Sequence, residues 1–331
     1  GVAAASSRPS LFSFDLVISI AWFWRCDAPS AAELVVRALQ LASSPRLIVV
    51  TDDVHWRRDA AAPFCPDAPP GTPPVREREL ALYSYASLTL TICDEDRRSI
   101  AEELPRLAMR TLPYVVEPRT FGGGGEGGGG GGAPGGDDGG KPFPGWSDRT
   151  GLLYVGSFHG ANLKAVRWLL LHVWPLLRAA LPELTLHLCG AHQWREEAVA
   201  AGAAGVTAHG KQDDLSTLLR ISRVLIAPVL IASGLSTKVF LAFEHHLPVV
   251  TSPLGTRGMM LHHDPAAVSI GRTAAQFVAA TVRLYTNETL WRAQQLRAHA
   301  HAAHHLGTGR LQRELRRAVS QVMAPATHRT S

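Results

Sequence analysis

Residues 222–259 read SRVLIAPVLIASGLSTKVFLAFEHHLPVVTSPLGTRGM, and the reading of this stretch decides the fold. Val224 to Pro228 is an apolar run of buried-strand length. Ser233, Gly234, Ser236 and Thr237 form a turn, and Lys238 opens a helical segment that Leu247-Pro248 stops. Val249-Val250-Thr251 begins the next strand. Strand, glycine turn, helix and strand make a βαβ unit, which requires a parallel sheet covered by helices. The turn falls at the carboxyl end of a strand, where open α/β sheets bind ligands. Amides at a helix N-terminus with a cation beside them suit a phosphate. The residues alone leave two readings open: a phosphate-binding turn, or a plain N-cap at Ser233 or Ser236 with Lys238 as a solvated lysine. The turn is not a Walker A loop.

Outward from this unit the same alternation continues. Before it come strands at Asp15–Ile20, Leu47–Val50, Leu88–Ile92 and Arg110–Val115, with helices at Pro29–Ala42, from Arg76, and at Asp94–Glu103, Asp94 serving as N-cap. Nearer to it come a strand at Gly151–Gly156, a helix at Leu163–Ala180, a strand at Leu184–Leu188 and one at Val206–Gly210, then Asp213 as a further N-cap. After it come helices at Ala274–Tyr285, Glu288–His304 and Leu311–Val322. Residues 63–74 are a Pro-rich loop. The runs Gly122–Gly125 and Gly127–Gly132 cannot form a core and mark a linker. The expected division is a first Rossmann-like domain over 1–118, a Gly-rich linker over 119–148 and a second Rossmann-like domain over 149–331.

With 331 residues, 46% apolar and 18% charged, the chain can fill two cores. Its 33 basic and 28 acidic residues lie without a basic block, so nucleic acid is not an expected partner and a small anionic ligand is. Cys26, Cys65, Cys93 and Cys189 show no CxxC pairing and read as buried thiols. No run reaches the ~20 apolar residues of a membrane helix, and Phe14–Trp24 reads as a strand. With no leader evident the cytoplasm is the default expectation. The opening GVAAASSRPS, without Met, and the few strands of the first domain lead to the expectation that the start of that domain is missing.

The residues resemble the group 1 nucleotide-sugar glycosyltransferases, which have the two-domain glycosyltransferase-B fold. Gly234, Lys238, Val239, Ala242, Pro248, Val249, Val250, Thr251, Pro253, Gly255 and Gly258 match that family's G-x-K-V-x-E-A-x-A-x-G-x-P-V-V-T-T-P-x-G. Residues 52–58 resemble D-x-D-x-H-x-x-R. Arg78, Glu79, Leu80 and Tyr83 resemble R-E-x-E-L-x-L-Y, and residues 90–95 resemble L-T-V-S-E-E. Residues 112–115 resemble the L-P-N-V exit, and His159, Asn162, Ala165 and Trp168 fall at or near G-S-F-x-H-x-P-N-x-x-A-x-x-W. The resemblance implies sugar transfer from a nucleotide-diphosphate sugar, as co-substrate rather than cofactor, to an acceptor of unknown class. It implies His55 and Lys238 as catalytic residues. It implies Gly156, Ser157, Asn162, Gly234, Ser236, Thr237 and Glu244 as the donor site.

Two features depart from the family. Its usual pair of glutamates falls here on Ser233 and Leu241, with Glu244 three residues later, and His246 replaces the glycine that ends the helix. A non-catalytic nucleotide-sugar or glycan-binding member is therefore the alternative. An oxidoreductase is disfavoured because no G-x-G-x-x-G follows a strand. Adjacent Asp52 and Asp53 point to opposite faces of a strand end, and no third ligand accompanies them, so no metal is expected. His299, His301, His304 and His305, among alanines, read as a solvated helix face, and His245-His246 and His262-His263 as surface residues.

Overall fold

The computed structural model describes residues 16–21, 36, 46–51, 53–57, 74–117, 143–232 and 234–324. The chain divides into two compact units, residues 1–112 with 313–331, and residues 113–312. The second unit therefore ends short of the expected 331, because the last helix returns residues 313 onward to the first unit. Most of the expected linker, the helix at 29–42 except Val36, the loop at 63–73, Cys26, Cys65, Asp52 and Ser233 lie outside the described residues.

The first unit holds a parallel sheet in the order β1 (Leu16–Ala21), β2 (Arg46–Thr51), β3 (Leu88–Thr91), β4 (Met109–Thr111). Ile48, Val49, Leu88 and Leu90 are fully buried, as are Thr89 and Thr91, so the centre of β2 and all of β3 are covered on both faces. Between them lie α1 (Val75–Ser84) and, after β3, α2 (Asp94–Glu103). Asp94 is not the cap of α2. Cys93 is, with Sγ accepting from the Asp96 amide at 3.4 Å, while Asp94 accepts from Thr111 Oγ1 at 2.6 Å.

In the second unit, β5 (Leu152–Val155), β6 (Leu186–Cys189), β7 (Val206–Gly210), β8 (Val224–Ala227), β9 (Val249–Thr251) and β10 (Ser269–Ile270) form a parallel sheet. The strand order is β10-β9-β8-β5-β6-β7. From β5 the chain runs outward to β7, then returns to β8 and runs the other way. The carboxyl ends of β5 and β8 therefore flank the switch point where such sheets bind ligands. The expected single helix at 163–180 is interrupted: α3 (Gly160–Trp168) passes through a π turn at Leu169–Val173 into α4 (Trp174–Ala180). Pro175 has no amide to donate, and the ladder resets there. Between β6 and β7 lies α5 (Trp194–Ala200), and α6 (Ser216–Ile221) leads into β8. At its start the N-cap position falls on Leu215 rather than the expected Asp213, and the Ser216 amide donates to Asp214 at 2.8 Å.

Helix α7 (Thr237–Glu244) joins β8 to β9. Then α8 (Ala274–Thr286), α9 (Glu288–His305) and α10 (Thr308–Met323) close the chain. Val239, Phe240, Ala242 and Phe243 put the apolar face of α7 into the core. The helix ends with Leu247 N–H donating to the Ala242 carbonyl at 2.9 Å, and His246 adopts φ 53°. That is the left-handed position for which glycine is favoured. Among the described residues no helix is long and apolar enough to cross a membrane.

Candidate donor site

The turns after β5 and β8 meet at Lys238. Its Nζ lies 2.8 Å from Asn162 Oδ1 and 3.4 Å from the Tyr154 hydroxyl, and 4.8 Å from the centre of the Tyr154 ring. Among the described residues no carboxylate pairs with it. Burial without a counter-charge lowers the Lys238 ammonium to about 8. Burial also pushes the Tyr154 hydroxyl well up, so it stays a neutral phenol.

Asn162 is fixed from its other end, with Nδ2 donating to the Ser157 carbonyl at 2.8 Å. That geometry requires glycine at 156. A Cβ there would stand 2.9 Å from both Asn162 Nδ2 and the Tyr154 hydroxyl. The Gly156 carbonyl accepts from Trp194 Nε1 at 2.9 Å, which holds the end of β5 in place.

Gly234 takes φ 66°, and its carbonyl accepts from Arg257 Nε at 3.1 Å. Ser236 occupies the N-cap position of α7, but its hydroxyl caps nothing. It is 8% exposed and its Oγ is buried without a hydrogen-bond partner. The first amides of a helix also lack partners within the helix. An exposed Thr237, a buried unused hydroxyl and an ammonium thus gather at one helix end.

The structure brings Gly156, Ser157, Asn162, Gly234, Ser236, Thr237 and Lys238 to this one crevice. Glu244 does not join them. It is the last residue of α7, six beyond Lys238, which places it about 240° around the helix and about 9 Å along it. It acts on Tyr114 instead, whose hydroxyl is raised by burial and then by Glu244. Leu241, at one of the two positions where the family's usual glutamates fall, packs against the core. Two contributors were missed in the sequence, Tyr154 and Arg257. Tyr154 is hidden inside an unbroken apolar strand, and the only signal for Arg257 was its place between Gly255 and Gly258.

His55 belongs to the first unit and is 2% exposed. Its Nδ1 lies 2.7 Å from Glu79 Oε1, and the same carboxylate accepts the amides of His55 at 3.2 Å and Trp56 at 3.1 Å. The Tyr83 hydroxyl donates to Glu79 at 3.3 Å. Glu79 of the matched helix motif is therefore a partner of His55. Burial and the Glu79 charge raise the Tyr83 hydroxyl well above its ordinary range.

The surface reading holds for His262, His263 and His304, which are exposed, and is corrected for three others. His245, His246 and His301 are 5%, 1% and 3% exposed. His246 stacks on His299 at 4.6 Å and meets Phe143 at 4.5 Å, and His301 Nε2 lies 2.6 Å from the Met259 carbonyl. Among the described residues no group of His, Cys, Asp or Glu has the arrangement of a metal site.

Residues 149–287 match the family described as "Glycosyl transferases group 1". Three solved structures share the fold. One is a Staphylococcus aureus TarM variant in complex with fondaparinux, alpha-GlcNAc-glycerol and UDP (10% identity, 88% of this chain and 59% of that one, TM-score 0.61). Another is the pneumococcal O-GlcNAc transferase GtfA in complex with UDP and GlcNAc (14%, 88% and 55%, 0.61). The third is Anabaena HepE in complex with UDP and glucose (11%, 93% and 78%, 0.63). The chain thus spans less than two thirds of TarM and of GtfA. No curated protein matches. The chain resembles the group 1 glycosyltransferases, and its fold is glycosyltransferase-B.

Proposed function

We propose that this chain binds a nucleotide-diphosphate sugar at the β5–β8 switch point and transfers the sugar to an acceptor. One observation carries the reading: the Lys238 ammonium is held by two neutral oxygens, beside a buried hydroxyl that has no partner. A charge positioned but not neutralised is complementary to a diphosphate. Lys238 and the first amides of α7 are then placed to stabilise the negative charge that grows on the departing diphosphate. UDP is the first nucleotide to try, since TarM, GtfA and HepE were each solved with it. The reading needs no metal or further cofactor.

Leu241 favours a second reading, a non-catalytic nucleotide-sugar or glycan-binding member. An apolar side chain cannot accept from ribose hydroxyls as a glutamate carboxylate would, a loss of ~1.5–3 kcal/mol. Calorimetric titration of UDP, GDP and ADP, beside Lys238→Ala, tests the binding step. Binding of one nucleotide that Lys238→Ala weakens supports the donor site. Absence of binding to all three in folded protein defeats both nucleotide readings. Hydrolysis of the matching nucleotide sugar then separates a transferase from a binder.

A further inference from the structure

The end of α9 and the loop after β9 bring five imidazoles into one run of ring contacts. His262 meets His263 at 4.0 Å, and His263 stacks on His305 at 4.2 Å with the planes 3° apart. His305 meets His301 at 4.9 Å and His304 at 4.6 Å. His301 anchors the run, with Nε2 2.6 Å from the Met259 carbonyl. A carbonyl only accepts, so Nε2 carries the proton and Nδ1 of the neutral ring is an acceptor. That Nδ1 is buried without a partner. A second proton would create a buried charged donor with nothing to receive it, and stacked rings at these distances repel when both are charged.

Other groups face the cluster from every side. The loop supplies Asp264, which is shared with Arg297 at 3.1 Å, and α10 supplies Arg310. The end of α7 presents Phe243 to the His301 ring at 6.5 Å, and next to it His246 stacks on His299. Arg283 and Tyr285 of α8 are not among the groups acting on these rings. Partial desolvation, then the neighbouring histidines, holds His305 at about 4 and keeps the exposed His263 ring below the ordinary histidine range. Burial lowers His301 as well, against the Met259 bond and Asp264.

We propose that His263, His301 and His305, with His262 and His304 in ring contact beside them, form an acid-released latch that holds residues 257–264 against α9. Rings whose folded pKa lies below the unfolded 6.5 take up protons on opening, so the latch holds fully above that pH and is lost as pH falls toward 4. Met259 is fully buried and lies two residues from Arg257, which ties the Gly234 turn. Release therefore also loosens the donor turn, a consequence that rests on the donor-site reading.

Hydrogen exchange at the Met259 and His263 amides, bonded to Thr256 and Met260 at 3.2 and 3.1 Å, tests the latch. It is followed from pH 7.5 to 5 with a chelator present and corrected for intrinsic rates, with UDP titrated in parallel. Exchange should quicken about tenfold or more by pH 5, while the Leu152 amide, bonded to Thr185, stays protected. In His263→Phe/His305→Phe, whose rings stack but take no proton, the acid response should fall below about threefold. Acid-independent exchange in the parent, an undiminished response in the double variant, or equal opening at Leu152 overturns the proposal. Acid-quickened exchange without UDP binding at any pH supports the latch and defeats the donor reading instead.

Discussion

Glu79 in the first unit and Lys238 in the second are both charged groups drawn away from water, and they are treated in opposite ways. Glu79 is fully buried and takes four donors, the amides of His55 and Trp56, the His55 ring and the Tyr83 hydroxyl. Nothing further can be asked of it. Lys238 has two neutral oxygens and no opposite charge among the described residues. A saturated charge fixes a fold, whereas a positioned but unneutralised one is a site waiting for its counter-ion.

The contrast is broken most directly at Glu79. Glu79→Ala removes the acceptor that four buried donors share and should cost about 3–5 kcal/mol, read by urea unfolding. Survival within about 1 kcal/mol would reduce Glu79 to an ordinary surface-type ion pair. Lys238→Met should do the reverse. It removes a charge that burial disfavours, so stability should hold within about 1 kcal/mol while UDP affinity falls about tenfold to a hundredfold. A variant that unfolds while binding is unchanged would exchange the two roles.

Acidity sharpens the same point. With Lys238 at about 8 in the free protein, UDP affinity should stay level below that pH and fall toward tenfold per unit above it. The group's effect on folding has its own sign. Its folded value is depressed from 10.5, so it contributes stability fully above 10.5 and loses it as pH falls toward 8, a slope that Lys238→Met should abolish. The smallest effect concerns backbone strain. At φ 53°, His246→Gly should be more stable than His246→Ala by about 1 kcal/mol in thermal melts. A reversed order would show that this turn relaxes when the ring is removed.

What the sequence displayed followed the distance over which each feature is determined. The β8–α7–β9 unit, its turn and Lys238 are set by neighbours within a few residues, and they were legible. The closing helices were legible for the same reason, through their periodicity. The saturation of Glu79 was not, because three of its four donors lie 23 or 24 positions away and only the fold assembles them. The burial of His301 was misread because alanine-rich surroundings look solvated until the Met259 segment is laid across them. His246 was noticed as a departure from glycine, but only its stack on Phe143 and His299 shows what occupies the left-handed position.

The return of α10 to the first unit carries a consequence for how this chain is made. Arg110, at the end of that unit's sheet, donates to Glu314 at 3.0 Å and to Gln321 at 3.3 Å. Arg46 likewise reaches the Val322 carbonyl. A chain growing from the ribosome exposes this first sheet some two hundred residues before its covering helix is synthesised, and meanwhile the second unit has every residue it needs. Of these two units, the one begun earlier is thus the one completed later, with one flank bare until α10 arrives.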